Sequence, residues 1–303
     1  MSSKQAMYFF VLGLHRSHSP TQLTRPILFH RHDDMRTRSL LPALSIGVLS
    51  LTAGCASTRS QPQPPVIDVQ KVVDLSYSFG PDTIYWPTAE SFTLERVAYG
   101  PTDKGYWYAA NNIRMAEHGG THMDAPIHFA RDKRTSEQVP LASCIGPAAI
   151  VDVRQQVTAN PDYRLTVSDL RKWEADNGRI PTGSIVVMYS GWGRYWGDQL
   201  HYMGTDKKGD VANLHFPGFS QEAAEFLVKE RDIAAIGVDT ASIDYGPSTD
   251  FMVHRIINGA DKPGFENLAN LDLLPNYGAT LIALPMKITG GSGGPARVIA
   301  VLP

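Results

Sequence analysis

Cysteine is nearly absent from this chain. Its 303 residues include two, Cys55 and Cys144. Beyond residue 55 Cys144 is the only thiol, so the body of the chain has neither a disulfide framework nor a thiolate metal site. Cys144 reads as a small buried apolar residue. Basic charge is also lacking. Six of the 28 Lys and Arg and two of the 30 Asp and Glu precede residue 56, which leaves 22 basic against 28 acidic residues. A mildly acidic body with no basic stripe excludes nucleic acid as an expected partner. Nucleophile and phosphate motifs are missing too. Gly291-Ser292-Gly293 lacks the spacing of a nucleophile elbow, and residues 290–294 lack the Lys-Ser/Thr of a phosphate loop. Both read as a flexible glycine turn. No internal repeat is present.

What is there begins with an N-terminal region unlike the rest. Residues 1–34 are rich in Ser, Arg and His, and their apolar run at 7–14 is too short to span a bilayer. They read as disordered, or as lying upstream of the true start. At Met35 the pattern changes. Arg36 and Arg38 form a basic start, 40–51 is an apolar stretch of signal-peptide length, and Thr52-Ala53-Gly54 places small residues before Cys55. Residues 35–54 thus resemble a bacterial lipoprotein signal, although Leu51 lies one position further from the cysteine than is usual. The resemblance implies that Cys55 is lipidated. The protein would be exported, facing the periplasm or cell surface, with the lipid as its only membrane contact. The alternatives are an anchoring helix or a misassigned start, the latter leaving a cytoplasmic protein. Residues 55–65, polar and proline-rich, predict an extended linker.

Residues 66–303 suffice for one core. Segments 72–77, 91–97 and 106–115 read as strands from their β-branched and aromatic content. The near-continuous apolar runs 148–153 and 185–189 suit strands buried on both faces. Further strands are expected at 233–238, 280–284 and 297–302. Thr166 can cap a helix ending at Gly178, and Ser220 can cap another with Ala223, Ala224, Phe226 and Leu227 inward. Asp250 is expected to cap a third helix that carries His254. This alternation indicates an α/β fold class, one domain around a mostly buried sheet.

Three histidines and an aspartate crowd into eleven residues: His118, His122, Asp124 and His128. Only three other histidines follow residue 55, so the cluster is not compositional. Neutral imidazole and carboxylate form the ligand set that suits zinc and manganese. Gly119, Gly120 and Pro126 oppose a helix here and favour a turn at the end of a strand, folded tightly around an ion. The competing reading is a set of turn residues that satisfy one another by hydrogen bonds.

The run His118-Gly119-Gly120-Thr121-His122-Met123-Asp124-Ala125-Pro126-Ile127-His128-Phe129 is similar to the H-x-G-T-H-x-D-x-P-x-H-F signature of the cyclase-type metal-dependent hydrolases, to which bacterial kynurenine formamidase and isatin hydrolase belong. The resemblance implies a swivelling β/β/α domain around a barrel-like mixed sheet. It also implies a second metal pair, His254 and Glu266, and a substrate pocket with Trp86, Phe129 and Trp192. After Trp86-Pro87 this chain has Thr88-Ala89, where relatives often have Gly and Asp. Relatives are commonly dimers or tetramers, which implies a homo-oligomer.

These readings converge on a metal-dependent hydrolase of a small amide, aryl formamide or lactam. His118, His122 and Asp124 would hold one ion. His254 and Glu266 would complete a second position, with Asp124 bridging, so one or two Zn2+ or Mn2+ ions per chain are expected. Such an ion polarises a carbonyl and lowers the pKa of bound water to about 7. His128 is the candidate general base and acid, with an ordinary imidazole pKa suited to neutral pH. Thr121 and Asp239 are expected to orient the ligands. Two alternatives stay open: a non-catalytic metal- or ligand-binding surface lipoprotein, and a cyclase or dehydratase acting on another small carbonyl compound.

Overall fold

The computed structural model describes residues 66–303. The expectations for residues 1–34, the signal at 35–54, lipidation of Cys55 and the linker at 55–65 lie outside them. In chain order the first described elements are β1 (Val72–Asp74), β2 (Thr93–Pro101), β3 (Trp107–Arg114), β4 (His122–Asp124), α1 (Leu141–Cys144), β5 (Ile145–Asp152), α2 (Arg154–Ala159), β6 (Arg164–Leu165) and α3 (Val167–Asn177). There follow β7 (Ile185–Tyr189), α4 (Gln199–Met203), β8 (Gly218–Phe219), α5 (Gln221–Phe226), β9 (Ala235–Val238), α6 (Met252–Gly259), β10 (Gly264–Glu266), β11 (Tyr277–Pro285) and β12 (Gly293–Val301).

A mixed sheet closes on itself. Strands β12, β11, β5, β7, β9, β10 and β4 are neighbours in that order, and β4 pairs back onto β12. One edge of β12 serves two partners, β4 along Gly293–Pro295 and β1 along Ile299–Val301. Strands β5, β7, β9 and β10 run parallel, which requires crossover connections. Helices α3 and α5 supply two of these. The result is an α/β domain around a barrel-like sheet, as the sequence resemblance implied.

Strand alternation sorts the apolar residues into two layers. Ala148, Ile150, Ile185, Val187, Ala235 and Leu281 fill the barrel together with Met123 and Phe265. Ala149, Val151, Val186, Met188, Ile236 and Val238 face outward onto the helices, where Leu170, Trp173, Phe226 and Ile257 cover them. Burial on both faces explains why these strands read as unbroken apolar runs.

Local caps follow the sequence at two helices. Thr166 and Asp169 form a reciprocal capping box at the start of α3, and Gly178 ends it at φ 86°. Ser220 accepts from Ala223 N at the start of α5. Helix α6 differs from expectation. Asp250 does not cap it. The N-cap position is Phe251, in the left-handed region at φ 49°, and the carboxylate of Asp244 takes the Val253 and His254 amides instead. Strands β2 and β3 pair only with each other and expose Leu94, Val97, Tyr99, Trp107 and Ile113. Among the described residues, no helix is long and apolar enough to cross a membrane.

Candidate metal centre and its pocket

The motif that reads as a turn is a strand at its centre. Residues His122–Asp124 form β4, the strand that closes the barrel between β10 and β12. The tight fold lies just before it. Gly120 has φ 56°, and a Cβ there would stand 2.6 Å from the Phe79 ring. A Cβ on Gly119 would stand 2.1 Å from the Tyr85 ring. No L side chain fits either place. In β4 the period of two turns Met123 into the barrel core and sends His122 and Asp124 together to the opposite face. On β10, Glu266 pairs directly with His122, and Phe265 joins Met123 in the core.

His118 Nδ1 is 2.6 Å from Asp124 Oδ1, and His122 Nε2 is 3.2 Å from the same oxygen and 3.4 Å from Glu266 Oε2. The second oxygens face His254, whose Nε2 is 3.2 Å from Asp124 Oδ2 and 3.3 Å from Glu266 Oε1. Each carboxylate thus divides its two oxygens between the His122 side and the His254 side. Ligand-type atoms of His118, His122 and Asp124 lie within 4.8 Å of one another, as do those of Asp124, His128 and His254.

This arrangement fits a cation. His122 Nδ1 is held by Gly120 O at 2.9 Å, whereas His122 Nε2 is buried and makes no hydrogen bond. A buried imidazole nitrogen that faces two carboxylates without a hydrogen bond calls for positive charge there, from a proton or a bound cation. The local field has that sign. Burial works against a charged ring, yet Asp124 and Glu266 outweigh it and push His122 up to about 9. Asp124 is driven well below the usual carboxylate range. Its burial opposes this, and the surrounding His122, His118 and His254 prevail.

His254 is oriented by a residue to which the sequence reading gave no role. Asp244 Oδ2 lies 2.7 Å from His254 Nδ1 and also accepts the His254 amide at 3.0 Å. The carboxylate therefore fixes both the ring and the helix that carries it. Nothing in local spacing marks Asp244, since the contact depends on how the loop after β9 returns to α6. Thr121 makes no hydrogen bond to His118, His122, Asp124, His254 or Glu266. Its hydroxyl accepts from Tyr77 N at 2.9 Å and donates to Asn267 O at 2.7 Å, pinning the start of β4 to the residue after Glu266.

Asp239 is likewise displaced from its expected role. It accepts from Ser190 N, Ser190 Oγ and Trp192 N, tying the end of β7 to β9, and bonds no member of the ligand cluster. Asp239→Ala is expected to lower the melting temperature strongly, because each orphaned buried donor costs about 1–3 kcal/mol. Metal content at temperatures where the variant stays folded should match the wild type. Thermal melts with metal analysis on one preparation check both, and a loss of metal from folded protein would return Asp239 to the site.

His128 ends a short 3-10 turn at Pro126–His128 and stacks on His118, with ring centroids 3.8 Å apart. The sequence suggested a pKa near neutrality. Burial instead pushes the ring down to about 3, with Asp124 opposing and the His118, His254 and His122 rings adding to the depression. The imidazole is therefore neutral at pH 7 and free to accept a proton, but so low a pKa makes it a weaker base than an ordinary histidine.

Above the cluster lies a cavity of about 270 Å³. Trp86 and Phe129 line it, as expected, and so do Thr88 and Ala89. Trp192 does not. It is buried in the outer core, and its Nε1 donates to Tyr202 O at 2.8 Å. Further aromatic walls are Tyr85 and Phe251, the latter 5.3 Å from Phe129 and 6.2 Å from Trp86 between ring centroids. A phenylalanine at positive φ is costly, and strain of this kind gathers at functional sites.

The "Cyclase" family model matches residues 73–245. The chain is 32% identical to isatin hydrolase of Roseibium aggregatum over 248 residues, covering 77% of this chain and 92% of that protein. It is 27% identical to kynurenine formamidase of Salinibacter ruber, covering 75% of this chain and 96% of the relative. Among solved structures, isatin hydrolase A from Ralstonia solanacearum superposes with a TM-score of 0.72 at 32% identity, over 80% of this chain and 100% of the other. Likeness of this extent, reaching across the strand that carries His122 and Asp124, makes the chain a member of the cyclase family.

Proposed function

We propose that the protein is a divalent-metal-dependent hydrolase that cleaves the C–N bond of a small aryl formamide or lactam. The observation that carries this reading is the division of the Asp124 and Glu266 carboxylates between two histidine positions at the floor of a mainly apolar cavity with aromatic walls. His118, His122 and Asp124 would hold one Zn2+ or Mn2+, and His254 and Glu266 a second, with Asp124 between them. Such an ion supplies a Lewis acid for the carbonyl and acidifies water. The rings of Trp86, Phe129 and Phe251 offer flat apolar surfaces that hold an aryl group and keep water from the reacting end. His128, neutral and beside the ligands, is placed to accept a proton as water attacks the carbonyl and to return it to the leaving nitrogen. The names of the relatives, isatin hydrolase and kynurenine formamidase, support a C–N bond next to an aromatic ring as the target.

The test assays isatin and N-formylkynurenine side by side on purified protein whose metal content is measured. Hydrolysis of at least one is expected, lost on treatment with a chelator and restored by Zn2+ or Mn2+. Full activity in metal-free protein would reject the reading. Inertness of metal-loaded protein toward both compounds would favour the non-catalytic binder or the cyclase alternative.

A further inference from the structure

The glycine turn before β12 is held in place from several sides. Ala125 N donates to Ser292 O and Ser136 N to Gly291 O, each at 2.9 Å. A Cβ on Gly291 would come within 2.9 Å of Glu117 Oε1, and one on Gly293 within 2.6 Å of His118 Cε1. The two glycines let the backbone lie against Glu117 and His118, with Ser292 between them. His118 Nε2 is 2.8 Å from Ser292 Oγ. Ser292 Oγ is 2.6 Å from Glu117 Oε2, and the Ser292 amide donates to that same oxygen at 2.9 Å.

The protons in this chain can be assigned by donor and acceptor capacity. A carboxylate only accepts, so the single hydroxyl proton of Ser292 goes to Glu117. Ser292 Oγ is then an acceptor toward the ring, and His118 Nε2 must carry the hydrogen. Asp124 also only accepts, so without a cation His118 Nδ1 would be protonated as well; with a cation bound at Asp124 that proton is displaced and Nδ1, 2.6 Å from Asp124 Oδ1, presents its lone pair. We infer that Ser292 and Glu117 are positioning residues for the metal centre, fixing His118 in the tautomer that presents Nδ1 as a ligand. The inference rests on the metal-dependent reading above. His118 needs such a hold more than its neighbours do. Its side chain is 23% exposed, against 3% for His122 and 5% for His254, so packing restrains it least.

Partners of this kind hold the ring orientation and raise ligand basicity, and their loss typically lowers metal affinity about 10–100-fold. Ser292→Ala is expected to weaken Zn2+ binding by about that factor in competition with a chelator, while the metal-free protein melts as the wild type does. Glu117→Gln should shift affinity in the same direction, because the amide can present its NH2 to Ser292 Oγ and turn the hydroxyl proton toward His118. Because Glu117 acts through Ser292, the double variant should bind no more weakly than Ser292→Ala alone. Wild-type affinity in Ser292→Ala, or losses that add in the double variant, would overturn the inference while leaving the metal centre standing. A wild-type protein that binds no Zn2+ or Mn2+ would instead remove the metal reading, and this inference with it.

Discussion

Replacing His122 with alanine is expected to strip the protein of its divalent metal and reduce hydrolysis to background. Of the three ligands read first from the sequence, His122 is the histidine with least solvent around it, 2% exposed. One ring nitrogen is fixed by Gly120 O, and the other is aimed between Asp124 and Glu266 with no hydrogen bond of its own. Alanine removes a donor of electrons to the ion and leaves two buried carboxylates facing each other. That is a larger change than loss of an outer partner, which by itself costs about 10–100-fold in affinity. The carboxylates would then favour protonation of Glu266, whose pKa burial and the Asp124 charge already raise, and a neutral acid is a poor ligand. Metal analysis of wild type and variant, with circular dichroism to show that both are folded, decides the matter. Equal metal in the two proteins would remove His122 from the ligand set.

The second large effect separates catalysis from binding. His128→Ala should retain its metal and fold while turnover of an aryl formamide or lactam falls by roughly 10²–10⁴, the usual worth of a positioned general acid–base. Pro126 stiffens the short turn that holds His128 over the His118 ring. From there the imidazole can face a carbonyl held against Phe129 without being needed by the first ion. Substrate affinity should stay within about tenfold, because a group that acts only in the transition state lowers kcat rather than ground-state binding. Steady-state kinetics and metal stoichiometry on the same sample give the answer. The geometry makes the second measurement necessary, since His128 also comes within ligand distance of Asp124 and His254. Loss of one metal equivalent would make His128 a ligand. Unchanged turnover would return it to a stacked ring packed beside His118.

The legible parts of this protein are those that depend on near neighbours in the chain. The caps at Thr166 and Ser220 are satisfied within three residues, so their signals survive folding intact. The outward and inward faces of β5 and β7 follow from unbroken apolar runs. The cluster from His118 to His128 was visible because its side chains come from one short stretch. The helix cap at α6 was not legible: the carboxylate that serves it, Asp244, lies earlier in the same β9–α6 loop and is brought back to the helix by that loop's fold, and the nearer Asp250 was the better local candidate. Trp192 lies outside the cavity and Phe251, for which no role was expected, lines it, for a similar reason. Both are large apolar residues after a strand or before a helix, and only the packing of the outer core against the cavity tells them apart.

By itself the sequence determined an α/β domain, a cluster of imidazole and carboxylate groups able to hold a metal, and the family to which the chain belongs. The alternation of a strand then brings His122 and Asp124 to one face without further instruction. The tertiary structure alone decided that this strand closes the barrel, that Glu266 pairs opposite His122 on β10, and that His254 reaches Asp124 from 130 residues away. It also decided that Ser292 stands between His118 and Glu117. The physical reason is that strand pairing and register are set by backbone hydrogen bonds and by the fit of a shared core, here Met123 against Phe265. Neither leaves a local pattern in the residues that the pairing brings together.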